Sequence, residues 1–129
     1  MQSFVLTSPA EPLLREAVAE ALRAEPAARA ALFEERLREI DEFMQRDHPD
    51  EMPFKFVAFT GTDGSRIFRG RAGNAIVIDP AGAMWRARSY EDFDTTYTIT
   101  ESSCTIDTLT PHYETMRPIG PQYSSNPAS

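Results

Sequence analysis

A single cysteine, Cys104, excludes an intramolecular disulfide and every zinc site built from several thiolates. No stretch approaches the ~20 apolar residues of a membrane-spanning helix. The opening residues, MQSFVLTSPAEP, have neither the basic start nor the apolar run of a secretory signal. A reducing, cytoplasmic compartment is therefore the expectation. The phosphate-binding glycine loop, dinucleotide fingerprint, nucleophile elbow and zinc-protease helix are all missing, and no internal repeat is present. Bases are also in short supply: 13 Lys and Arg stand against 20 Asp and Glu, a net charge of −7. Phosphate-covered surfaces repel such a chain, so neither nucleic acid nor a membrane is expected as a partner.

What remains is ordinary globular material. A chain of 129 residues with 41% hydrophobic and 26% charged residues suits one domain. Its charge is uneven. Residues 53–90 hold six bases and two acids, whereas the segments on either side are acidic. The expected sheet core of the domain is thus its basic part.

That segment contains the clearest local signal, Asn74 to Ser89. Two apolar runs, Ala75 to Ile78 and Met84-Trp85, flank Asp79-Pro80-Ala81-Gly82. Proline presets φ for the first inner turn position, aspartate bonds the turn backbone and glycine closes it, so a β-hairpin is expected. Before it, Ser8-Pro9-Ala10-Glu11 reads as a capping box opening a helix with Leu14, Val18, Ala21 and Leu22 on one stripe. Pro26 interrupts. A second helix is expected from Pro26 to about Arg46, with Phe33, Leu37, Ile40 and Met44 inward; one kinked helix is the alternative. Past Pro53 the period falls to two. Strands are expected from Phe54, from Ser65 to Arg69, from Thr95 to Thr100 and from Cys104 to Leu109, with His112 to Met116 an open case. Residues 1–7 suit an edge strand or an arm.

The fold class is then α+β. An N-terminal helical pair (8–47) packs on one face of an antiparallel sheet of about five or six strands (54–116), all within a single domain of residues 1–117, followed by a flexible tail at 118–129. Helix first and meander after is also the layering of cystatin-like folds, an analogy of architecture that does not carry function.

Candidate chemistry centres on arginine. Arg86 and Arg88 are two apart and share a sheet face, opposite Trp85; Arg66 lies on a nearby strand, and Arg69 and Arg71 flank Gly70. Converging guanidinium groups hold phosphate or carboxylate in a bidentate way. The plainer alternative is that they pair with acids elsewhere on the surface. A pocket between helices and sheet would have Trp85, Phe56, Tyr97 and Ile106 as walls and Arg86 or Arg66 as anchor.

Three other groupings fare worse. Asp47, His48, Asp50 and Glu51 lack a second set of converging metal ligands. Cys104 and Asp107 point to opposite faces of one strand, which disfavours a triad with His112, and Cys104 beside Ile106 suits a buried structural thiol. Glu91, Asp92 and Asp94 suit turn hydrogen bonding. No catalytic residue, metal or cofactor is expected. The leading expectation is a small acidic non-enzymatic binding protein for a protein partner, of inhibitor, immunity-type or chaperone-like character, or one that self-associates. The alternative is a small anionic ligand, or a modest enzyme, in the pocket; the ligand-binding candidates are Arg66, Trp85, Arg86, Arg88 and Tyr97.

Overall fold

The computed structural model describes residues 8–70, 74–88 and 91–120. The segment at residues 1–7, Arg71 and the stretch from residue 121 onward lie outside the described residues. Two helices come first, α1 (Ala10–Arg23) and α2 (Arg29–Asp47). Ser8 serves the start of α1, its hydroxyl accepting the Ala10 N–H at 3.1 Å. Glu11 does not close a capping box; its carboxylate faces Arg15 at 3.7 Å. The proline break is real but longer than expected. Pro26–Ala28 form one 3₁₀ turn and α2 starts at Arg29, not at Pro26.

The helices meet through small residues on α1, Ala17 and Ala21, against Phe33, Leu37, Ile40 and Met44 on α2. The Arg36 guanidinium grips the Glu20 carboxylate with two bonds of 2.9 and 3.0 Å, which holds that carboxyl below its ordinary range.

The main sheet is antiparallel, with strand order β1-β2-β3-β4-β7. Its strands are β1 (Phe56–Thr60), β2 (Arg66–Gly70), β3 (Asn74–Ile78), β4 (Met84–Arg88) and β7 (Arg117–Pro118). The expected hairpin is its centre: Ile76 pairs with Arg86 and Val77 with Trp85. The turn follows from the residues. The Gly82 N–H reaches the Asp79 carbonyl at 2.8 Å, and Gly82 takes a φ of 95°. Asp79 Oδ1 accepts the N–H groups of Ala81 and Ala83, both at 2.9 Å.

The remaining two strands, β5 (Phe93–Ile99) and β6 (Cys104–Pro111), pair only with each other. This ribbon covers the face of the sheet away from the helices. One core, holding Phe68, Ile78 and Met84, lies under the helices; the other, holding Ile67, Val77, Ala87, Phe93 and Leu109, lies under the ribbon. The expected layering, a helical pair on one face of an antiparallel sheet of five strands, is thus present, and a second, two-stranded sheet covers the other face. Within Phe54 to Phe59, Phe54, Phe56 and Ala58 pack against the helix-side core and Phe59 against the other, while Val57 stays exposed.

Three further details depart from expectation. Residues 113–115 form a 3₁₀ turn before β7, not a strand through Met116. Pro118, in β7, pairs with Trp85 of β4 and Ile119 packs on the helix-side core, so the folded chain runs past residue 117. An edge strand tolerates proline, and the composition there resembled a breaker for that reason. Cys104 is exposed, not buried, because it sits near the far end of the ribbon, next to the turn that joins β5 and β6.

Candidate functional site

Side chains alternate along a strand, and directly opposed residues share a face. The helix-side face of the sheet is therefore Phe56 and Ala58 on β1, Arg66, Phe68 and Gly70 on β2, Asn74, Ile76 and Ile78 on β3, and Met84, Arg86 and Arg88 on β4. The helices seal the end of this face that carries Ile78 and Met84. At the other end a groove of about 630 Å³ remains between α1 and the sheet. Leu14 and Val18 form one wall, Phe56, Phe68 and Ile76 the floor, and Phe54 helps to close the side. Arg86, Arg15 and Lys55 supply its positive groups. The volume lies within the range of small-molecule sites, and a mostly apolar lining with a few placed polar groups is their usual chemistry.

Of the residues singled out in the sequence, Arg86 and Phe56 reach this groove. Arg66 shares the face but donates to Glu34 Oε1 on α2 at 2.8 Å and to the Thr60 hydroxyl on β1 at 2.9 Å. Arg88 also shares the face and pairs with Glu91 at 3.3 Å. Trp85 lies on the opposite side of the sheet. Its indole N–H donates to Asp79 Oδ2 at 3.1 Å and its ring packs on Tyr113 at 5.3 Å. Tyr97 and Ile106 belong to the ribbon, so neither walls this groove. Neighbours in a strand face opposite ways, and Trp85 beside Arg86 could not have joined it.

Among the described residues Asp92 is the one fully buried acid. Its carboxylate accepts the Arg88 N–H at 2.7 Å and the Thr115 hydroxyl, and its carbonyl accepts the His112 N–H at 2.9 Å. It latches the end of β4 to the segment after β6. His112 Nε2 contacts Asp94 at 3.0 Å, and that bond holds the imidazole above its ordinary pKa. Tyr113 donates to Asp63 at 2.6 Å. Burial and that bond push the phenol up; burial also raises the Asp63 carboxyl, but hydrogen bonds from Ser65 and Tyr113 outweigh it and the net shift is down. These groups tie turns together and do not open onto the groove.

No family model, curated protein or solved structure matches this chain.

Its site is therefore read from geometry alone. Among the described residues no group of three or more His, Cys, Asp or Glu side chains is placed to hold a metal ion, the Asp47–Glu51 segment included. No described helix is long and apolar enough to cross a membrane. Two features escaped the sequence. Leu14 and Val18 lie on the expected apolar stripe, but nothing in its period tells which part of the stripe the sheet leaves uncovered. Arg117 opposes Arg86 across β4 and β7, a pairing made between residues 31 positions apart in the chain. A second surface is also open. The apolar face of the ribbon passes from buried Phe93 and Leu109 to Tyr97 and Ile99, which are 45% and 75% exposed, and Val57 on β1 is 57% exposed.

Proposed function

We propose that this protein is a non-enzymatic binding protein whose groove between α1 and the sheet takes an apolar chain ending in an anionic group. The observation that carries the reading is the lining: aromatic and aliphatic floor and walls, with Arg86 at the sheet end. Burying alkyl carbons against such a surface contributes about 0.8 kcal/mol per methylene. A guanidinium adds direction, because it binds an oxyanion through two parallel bonds. This is the small-anion reading, and the groove favours it because Arg86, Arg15 and Lys55 place positive charge beside its apolar floor.

Titration calorimetry with twelve-carbon carboxylate and phosphate amphiphiles, kept below their micellar concentrations, tests it. Wild-type protein is expected to bind at one site. Ile76→Trp, which fills the floor, is expected to weaken binding by at least about tenfold while the thermal midpoint stays close to that of wild type. Equal binding by the filled variant, or no binding by wild type, removes the reading.

A second reading, protein engagement, is favoured by the separate surface at Tyr97, Ile99 and Val57. The occupant this surface supports is a second copy of the chain. β1 is the terminal strand of its sheet, so its outer edge carries unpaired backbone groups among the described residues. Two such edges pair with each other antiparallel about a two-fold axis, with the exposed apolar side chains alongside. Sedimentation velocity is expected to show a concentration-dependent dimer that Val57→Asp with Ile99→Asp returns to monomer. A wild-type monomer at all accessible concentrations ends it.

A further inference from the structure

We propose that Arg86 and Arg117 together form a site for a phosphate monoester, whose alkyl chain lies in the groove; this rests on the groove reading and specifies its ligand. The argument begins with an unfavourable pairing. Arg86 and Arg117 are directly opposed across β4 and β7, and like charges in that position destabilise a sheet. Acids are in surplus in this chain, and half of its twelve arginines meet one, Arg15 with Glu11 among them. Arg36 meets Glu20, Arg38 and Arg66 meet Glu34, Arg46 meets Asp47 and Arg88 meets Glu91. Among the described residues Arg86 and Arg117 meet none, and both are exposed. Two uncompensated guanidinium groups side by side are the arrangement an incoming anion would relieve.

The register fixes where that anion sits. Arg86 lines the groove, and a directly opposed residue shares its face, so Arg117 stands beside Arg86 on the groove side of the sheet. Ile119, two residues on, packs with the helix-side core and confirms that facing. Asn74 lines the same end and adds an amide donor. The number of acceptors then selects the head group. A carboxylate has one pair of oxygens and one charge, which one guanidinium satisfies. A phosphate monoester carries close to two charges at neutral pH and three free oxygens, enough for both arginines. The apolar floor at Phe56 and Ile76 selects an alkyl ester over inorganic phosphate.

The test compares dodecyl phosphate, dodecanoate and inorganic phosphate on the full chain, in wild type and in Arg86→Gln, Arg117→Gln and Arg88→Gln. Both target arginines are exposed, so the variants are expected to fold. Dodecyl phosphate is expected to bind at least about tenfold tighter than dodecanoate, and each of R86Q and R117Q to lose about tenfold for the phosphate. R88Q is expected to bind as wild type does. Equal affinity for the two amphiphiles, or an unchanged R117Q, overturns the head-group assignment and leaves the groove standing. Failure of both amphiphiles to bind overturns the assignment and the groove together. Cosedimentation with vesicles of phosphatidic acid in phosphatidylcholine separates a free ester from a lipid head group. Binding in either arm supports the site, and the net charge of −7 makes the free ester the expected one.

Discussion

Gly82→Ala is expected to lower the unfolding free energy by about 4 kcal/mol. Two costs add. Gly82 has a φ of 95°, a conformation that costs an L residue roughly 1–2 kcal/mol. A Cβ there would also lie 2.5 Å from Pro26 Cβ, 2.8 Å from Pro26 Cα and 3.0 Å from its carbonyl oxygen. Two of those three atoms are backbone, so relief needs the connection between the helices to move, at roughly 2–3 kcal/mol. Gly64 is the internal control. It takes nearly the same φ, 92°, but its nearest neighbour to an added Cβ is Pro80 Cγ at 3.9 Å. Gly64→Ala is expected to lose only the conformational part. Urea unfolding of both variants measures the difference, and equal losses would show that the contact with Pro26 carries no weight.

Arg29→Met is expected to cost about 3 kcal/mol although it keeps the apolar stem. The Arg29 guanidinium donates to four carbonyls: Ala21 at 2.7 Å, Leu22 at 3.1 Å, Ala24 at 2.9 Å and Gly82 at 2.5 Å. Three of these belong to the last residues of α1 or follow it directly, where carbonyls lack helical partners and carry the negative end of the dipole. The fourth belongs to the central hairpin. One side chain thus caps a helix and fixes that helix to the sheet. Charge-assisted bonds contribute about 1.5–3 kcal/mol each, and water recovers part of the loss where the carbonyls are reachable. Arg29→Lys separates charge from geometry. A single ammonium cannot span four acceptors, so it is expected to recover well under half of the loss. Full recovery in the lysine variant would mean that charge near the helix end, and not the fork of donors, holds the joint. Because Arg29 and Gly82 share a bond, the double variant is expected to lose less than the two single losses combined.

The two changes explain why the groove has a definite shape. The helices are held at their far end, by Gly82 against Pro26 and by Arg29 across the gap. Their near end, at Leu14 and Val18, is left standing off the sheet. Loosening the joint is therefore expected to alter the groove some distance away, through the tilt of α1.

Much of this was legible residue by residue. The hairpin around Asp79-Pro80-Ala81-Gly82 was readable because its turn chemistry is local. The stripe of Phe33, Leu37, Ile40 and Met44 was readable because a period of three and four survives without knowledge of the partner. The change of period near Pro53 marked the passage from helix to strand. Arg86 was placed on a shared face with Arg88 by simple alternation. Alternation does not say which face is covered, or by what. For that reason Trp85 and Tyr97 were expected in a pocket they do not line, and Arg66 in a site it leaves for Glu34.

Composition and short-range pattern thus determined an α+β chain, its helical pair, its central hairpin and the basic character of its sheet, since each depends on residues within a few positions of one another. The tertiary structure alone decided that β5 and β6 leave the sheet to cover its second face, that β7 returns to set Arg117 against Arg86, and that one end of the helix-side face stays open. Those outcomes depend on which distant surfaces bury each other, and a one-dimensional period is blind to the choice among several apolar faces of equal quality.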